Sequence, residues 1–365
     1  MKHLSYFLLL LLLGLPLLSA CSDDSDTTPG ADLPVPFAPL PANTLAGNQL
    51  NRGQATADAD HLYYWTADTP TSIVLCSRHK ETGMVIYLDH IEQAHEGVDF
   101  MFTNLHARDG YLYYYAFDPK NDRKGFFRTK ADGSTGPERL TDVEWYHVIY
   151  ADDCFYLYNM LSQEIREISY DGSSVRTLFY KNTFFTPTLH EGRFYYIDYE
   201  DEGDDFHPVL RTCDLAGGDD RKIHDFRQLS LFLIDDDCIY LFDTDPTVPD
   251  QTPRPYFDGA LSSIPLQGGE ETILVKDMPM ATRINLYKDY LFLCSSDTNV
   301  PLKNGLYVYK KGEARASQIV SGRPVSLVNV TGDNQLVFSD NTVTVSRMGK
   351  LYLTDFAGAN ITELT

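Results

Sequence analysis

One short apolar pattern recurs along most of the chain. It reads Leu-Tyr-Tyr-Trp at Leu62 to Trp65, Leu-Tyr-Tyr-Tyr at Leu112 to Tyr115, Phe-Tyr-Leu-Tyr at Phe155 to Tyr158 and Phe-Tyr-Tyr-Ile at Phe194 to Ile197. It returns as Ile-Tyr-Leu-Phe from Ile239, Tyr-Leu-Phe-Leu from Tyr290 and Gln-Leu-Val-Phe from Gln335. Successive copies start roughly 40 to 50 residues apart, the range of propeller blades. A polar turn precedes each copy, as in Asp-Ala-Asp-His before Leu62 and Asp-Asp-Asp-Cys before Ile239. A polar-apolar strand closed by a glycine turn follows each copy. It is clearest in Phe126 to Ser134 and Ile165 to Ser173, with degenerate copies ending at Gly83, Gly218, Gly269, Gly312 and Gly358. Glycine accepts positive φ at little cost, so Asp-Gly between short alternating runs predicts a hairpin.

Each unit therefore reads as strand A, acidic turn, aromatic strand B, loop, strand C, glycine turn, strand D. The third unit shows all four, at Val148 to Tyr150, Phe155 to Tyr158, Ile165 to Ser169 and Val175 to Phe179. Four antiparallel strands of that length make a propeller blade. No mature segment carries the apolar spacing a helical solenoid requires. A β-sandwich fits the strand lengths but not the fixed period. The expected fold is an all-β propeller over residues 46–365. Seven blades are counted; the seventh is the most degenerate, which leaves six or eight open.

The chain has 365 residues, of which 30 are Lys or Arg and 52 are Asp or Glu, for a net charge of -22. Hydrophobics at 43% and 24 tyrosines exclude a disordered chain despite that charge. The acidic balance argues against a nucleic-acid partner, since phosphates need Lys and Arg to neutralise them. Ahead of the repeats, residues 1–20 read as a signal peptide: Lys2 and His3, then an apolar run from Tyr6 to Leu18, too short to span a bilayer comfortably. The run ends in Leu18-Ser19-Ala20-Cys21, which resembles the lipobox of bacterial lipoproteins. That resemblance implies cleavage before Cys21, lipidation of its thiol and an extracytoplasmic, membrane-anchored protein. Residues 21–45, acidic and then Pro-rich, are expected to be a tether. Cys76, Cys154, Cys213, Cys238 and Cys294 are odd in number and widely spaced, and read as small buried hydrophobes.

The strand signatures also resemble a family. Tyr63 to Asp68 is similar to the Tyr-Trp-Thr-Asp strand of low-density-lipoprotein-receptor-type propellers, and the Arg-x-x-x-Asp-Gly-Ser strings resemble their strand C and turn. With Ala46 to Trp65, the chain looks most like bacterial lipoproteins of unknown function that carry such a propeller. Only the first unit has the Trp-Thr pair, and seven units exceed the six of the receptor domain. The resemblance implies the fold and a presumption of binding.

Function is expected at the loops. The turns between strands A and B carry Asp58, Asp60, Asp109, Asp152, Asp153, Glu191, Asp235, Asp236, Asp237, Asp289 and Asp333, which turn chemistry explains. On the other face the loops between strands B and C are longer, notably 116–125, 198–208, 243–259 and 295–305. The starts of strand A should line the channel mouth with Arg52, Asp99, Trp145, Tyr146, His147, Phe185, Arg227, Arg283, Asn285 and Arg323. Converging guanidinium forks suit carboxylate, sulfate or phosphate, and the aromatics could stack a sugar ring. The ligand-binding candidates are Arg52, Trp145, Tyr146, His147, Phe185, Arg227, Arg283 and Arg323. The competing reading pairs each arginine with an Asp or Glu of a neighbouring blade, tying the blades together. The acidic run Asp198 to Asp205 lacks calcium-loop spacing and reads as solvated.

No nucleophile elbow, zinc-helix string or phosphate loop occurs, so the chain is expected not to be an enzyme and to need no cofactor or metal. The expectation is a monomeric binding module for a protein or glycan. Two alternatives stand beside it: a polysaccharide-active hydrolase or lyase, and a scaffold of an envelope complex.

Overall fold

The computed structural model describes residues 40–69, 72–92, 104–118, 121–142, 146–159, 161–181, 187–201, 206–227, 231–244, 259–296, 303–340 and 349–364. The signal peptide, Cys21 and the tether up to residue 39 lie outside them.

The strands, β1 to β28 in chain order, form seven four-stranded antiparallel sheets, each from four consecutive strands. The fold is a seven-bladed propeller. The inner strands are β1 (Ala55–Ala57), β5 (His106–Arg108), β9 (Tyr146–Tyr150), β13 (Thr188–His190), β17 (Leu231–Ile234), β21 (Arg283–Tyr287) and β25 (Leu327–Gly332). The aromatic runs all fall in the second strand of their blade, from β2 (His61–Thr69) to β26 (Gln335–Ser339).

Packing explains why those runs are apolar without a polar break. Successive side chains of a strand point to opposite faces, and here both faces are covered. Leu112 and Tyr114 pack against blade 1 beside Trp65 and Leu75. Tyr113 and Tyr115 pack the other way, against Val148, Phe155 and Leu157 of blade 3. There are seven hydrophobic clusters among the described residues, and each straddles one seam between successive blades. The core is thus a ring of seams.

Charged ties reinforce several seams. Arg123 of blade 2 pairs with the nearly buried Asp89 of blade 1 at 2.7 Å, and Tyr114 Oη donates to the same carboxylate at 2.6 Å. Lys181 pairs with Asp220 across blades 3 and 4, Lys311 with Asp235 across blades 6 and 5, and Lys288 with Asp333 across blades 6 and 7. In each glycine turn the left-handed residue has φ between 72° and 84°, and it is Gly217 and Gly268 in blades 4 and 5 rather than Gly218 and Gly269. Cys76, Cys213 and Cys294 are buried, and the described cysteines are free thiols.

One element departs from the sequence reading. Helix α1 (Ala42–Leu50) spans the end of the stretch expected as tether and the first residues expected as propeller. It lies against β9, β13, β17, β21 and β25, inside the channel that the inner strands enclose.

Candidate ligand-binding site

The inner strand of each blade has one edge paired within the sheet and one edge facing the channel. Such an edge leaves alternate N–H and C=O groups needing partners. Helix α1 supplies them with amides. Asn48 Nδ2 donates to the Val330 carbonyl at 2.8 Å, and its Oδ1 accepts from the Val330 N–H at 2.8 Å. Asn51 Nδ2 donates to the Ile284 carbonyl at 2.7 Å, and its Oδ1 accepts from the Val328 N–H at 2.9 Å. With its amide turned to suit, Gln49 donates to Val148 O and accepts from Tyr150 N–H on β9. Asn285 faces the channel as expected, but it is consumed there, donating to Asn48 Oδ1 at 2.8 Å and Val328 O at 2.9 Å. Gly47 permits this approach, because a Cβ would stand 2.0 Å from Asn285 Oδ1.

The helix runs from one face of the ring to the other. At its start, Asn43 Nδ2 donates to Asp235 in a turn between strands A and B. At its end, the carbonyls of Arg52 and Gly53 accept from Asn104 and Leu105, just ahead of β5. Arg52 therefore does not open an inner strand. It sits in the left-handed turn after α1, with φ 67°.

The four arginines separate into two groups. Arg283 opens β21, is half-buried, and donates from Nη1 to its neighbour's carbonyl, Thr282 O, at 2.6 Å. Among the described residues no carboxylate pairs with it. Burial, and then the adjacent Arg52 charge, hold its guanidinium below the usual pKa. The charge of Arg52 thus acts on Arg283 at the mouth, in a chain whose net charge is -22.

Arg227 and Arg323 are engaged elsewhere. Arg227 pairs with Glu271 and, at 3.7 Å, with Asp243, whose carboxylate also accepts the Arg227 N–H at 3.0 Å. It lies ahead of β17 rather than on it. Arg323 lies 4.0 Å from Asp340 and stacks over the Tyr352 ring at 4.9 Å, four residues before β25. Both carboxylate sets belong to the blade that the arginine leads into, so these two are held within a blade and not, as the competing reading had it, tied to a neighbouring one.

His147 is on β9 and 7% exposed, and burial pushes its pKa down to about 4, so it is neutral at pH 7. Tyr146 begins β9. Asp99, Trp145 and Phe185 lie outside the described residues. So do 202–205 of the acidic run. Glu200 of the same run forms, with His207 and Asp225, a cluster of ligand-type atoms on blade 4. Lys222 Nζ already stands 3.1 Å from Glu200 and 2.9 Å from Asp225, and Arg211 holds Glu200 at 2.8 Å. Two of the three groups are therefore already paired with side-chain cations.

No protein-family model matches the chain, and no curated protein matches it by sequence. Solved structures do match it in shape. A puromycin-hydrolyzing peptidase of Mycobacterium tuberculosis is 12% identical, over 91% of this chain and 55% of that one, with a TM-score of 0.59. The β-propeller domain of the Trilobed protease from Pyrococcus furiosus is 12% identical, over 84% and 93%, at 0.56. The tricorn protease is 10% identical, over 91% and 34%, at 0.52. The chain spans about half the length of the mycobacterial peptidase and about a third of the tricorn protease. At such identities the likeness shows the fold. It also corrects the expectation that the chain is not an enzyme: propellers of this shape occur within peptidases, so a missing catalytic string is no ground for excluding catalysis.

Proposed function

We propose that the protein is a lipid-anchored, extracytoplasmic binding module that takes an anionic ligand at the channel mouth between Arg283 and Arg52. The observation that carries the site is Arg283: a half-buried guanidinium beside a second guanidinium, with a backbone carbonyl as its hydrogen-bond partner. A buried charge is costly unless an opposite charge meets it. A carboxylate or sulfate on a ligand would meet both arginines through charge-assisted hydrogen bonds. Because α1 fills the channel, the site is a blind mouth rather than a conduit. The ligand class that fits is an acidic glycan, such as a uronate or sulfated oligosaccharide, or a carboxylate of similar size. The anchor rests on Leu18-Ser19-Ala20-Cys21 and its apolar leader. Two acyl signals are needed for lasting attachment, which the diacylglycerol of a lipobox cysteine provides.

Calorimetric titration with inorganic sulfate, citrate, a uronate oligosaccharide and a sulfated oligosaccharide tests the site. The proposal expects at least one to bind, and Arg283→Ala to weaken it about tenfold or more, the worth of one charge-assisted hydrogen bond. Arg176→Ala, on the exposed outer strand of blade 3, should leave affinity unchanged. A panel in which nothing binds, or equal binding by Arg283→Ala, would refute the site. Labelling with a fatty-acid analogue tests the anchor: Cys21→Ser should lose the label and leave the membrane fraction.

A further inference from the structure

We infer that α1 is the strap that closes the propeller ring between blade 7 and blade 1. A ring of blades must be held shut where its last blade meets its first. Here no strand is shared across that seam: blade 1 is β1 to β4 and blade 7 is β25 to β28, each from consecutive strands. The apolar contact at that seam is also made of smaller side chains than elsewhere. It holds one aromatic ring, Tyr64, beside residues such as Ala55, Ala57, Val74 and Val337, where the seam of blades 2 and 3 holds five, Tyr113, Tyr115, Phe126, Tyr150 and Phe155. Among the described residues no ion pair crosses it.

Amides from α1 and the inner strands cross it instead. Asn329 on β25 accepts from the N–H groups of Gln54 at 3.0 Å and Ala55 at 3.2 Å, at the start of blade 1. Its Nδ2 donates to the carbonyls of Asn48 at 3.2 Å and Asn51 at 3.4 Å. Asn48 and Asn51 grip β25 through Val328 and Val330, and Asn51 and Asn285 extend the grip to blade 6. The same stretch of backbone then runs into β1, after its carbonyls at Arg52 and Gly53 have accepted from blade 2. Thus residues 48–55 join blades 6, 7, 1 and 2 in one continuous segment. These groups are buried, so each bond that is lost leaves a partner without water to replace it. Release of α1 would therefore leave the seam with its apolar contact and the two bonds from Gln54 and Ala55 to Asn329. This inference is independent of the anion site.

Hydrogen exchange read by mass spectrometry on the full chain tests it. In Asn48→Leu and in Asn51→Leu, amides of β1, β25 and α1 should exchange about tenfold to a hundredfold faster, while blade 3 keeps its protection. Asn159→Ala, a turn amide of blade 3, should leave the seam unchanged. The wild type gives a second reading if either variant fails to fold. With increasing urea, α1, β1 and β25 should open together, with a smaller denaturant slope than the rest of the ring. A rise in exchange spread evenly over all seven blades, an unchanged seam, or opening of α1 and the seam only with the whole molecule would overturn the strap.

Discussion

Arg227 and Arg283 lead into neighbouring blades, and the sequence places them at matching points of the repeat. Their surroundings have opposite sign. Arg227 is held by Asp243, 2% exposed, and by Glu271, which also accepts the Ser262 hydroxyl at 2.6 Å. Arg283 is met by Arg52 and a backbone carbonyl. What differs is not the arginine but the carboxylates its blade supplies. In blade 5 they come from the end of the second strand and the turn before the fourth. An arginine at a repeat position is therefore held by carboxylates when its own blade supplies them, and by a backbone carbonyl when it does not.

Removing each arginine should separate the two most widely. Arg227→Ala strands the buried Asp243 carboxylate, and the expected loss is about 3 kcal/mol of unfolding free energy, read from the urea midpoint. A loss indistinguishable from that of an exposed arginine would erase the distinction.

Acid should act on the Arg227 side more weakly. Burial pushes the Glu271 carboxyl up, but the Ser262 hydroxyl and the Arg227 guanidinium outweigh it, and the net shift is downward. A depressed carboxyl stabilises the fold above its unfolded pKa, near 4.3, and that contribution disappears as pH falls through the folded value. Glu271→Gln should therefore flatten the stability loss below about pH 4.3, by roughly 1 kcal/mol. Parallel acid curves for variant and wild type would show that the pair contributes nothing. The smallest expected effect is that of Arg283→Ala without ligand. Relieved of the Arg52 charge, the melting temperature should hold or rise slightly, within about 0.5 kcal/mol of the wild type.

The ring was legible because its signals are local and repeated. Every aromatic run became the second strand of a blade, and the acidic and glycine turns fell where Asp and Gly chemistry put them. Asp58 shows why: its carboxylate accepts from the N–H groups of Asp60 and His61 and from Tyr63 Oη. Helix α1 was not legible. Helices announce themselves through an apolar stripe, but Asn48, Gln49 and Asn51 face backbone edges, so the buried face is amide and no such stripe marks the helix. Nor could the repeat say which arginines are answered. Asp243 lies 16 residues from Arg227 and Glu271 lies 44, in strands whose juxtaposition only the folded blade sets. Arg52 was placed on a strand, but it and Gly53 are two consecutive left-handed residues, and the first of them is one where such a conformation is uncommon.

The central claim is that Arg283 stands without a carboxylate because a ligand supplies one. Thermal unfolding of wild type and Arg283→Gln, each with and without the tightest-binding anion of the titration panel, tests it most directly. The account predicts that the anion raises the wild-type melting temperature, as any ligand specific to the folded state must. It predicts that Arg283→Gln melts no lower than the wild type alone and gains nothing from the anion. A variant that melts several degrees lower without ligand, or one that the anion stabilises as much as the wild type, would contradict it.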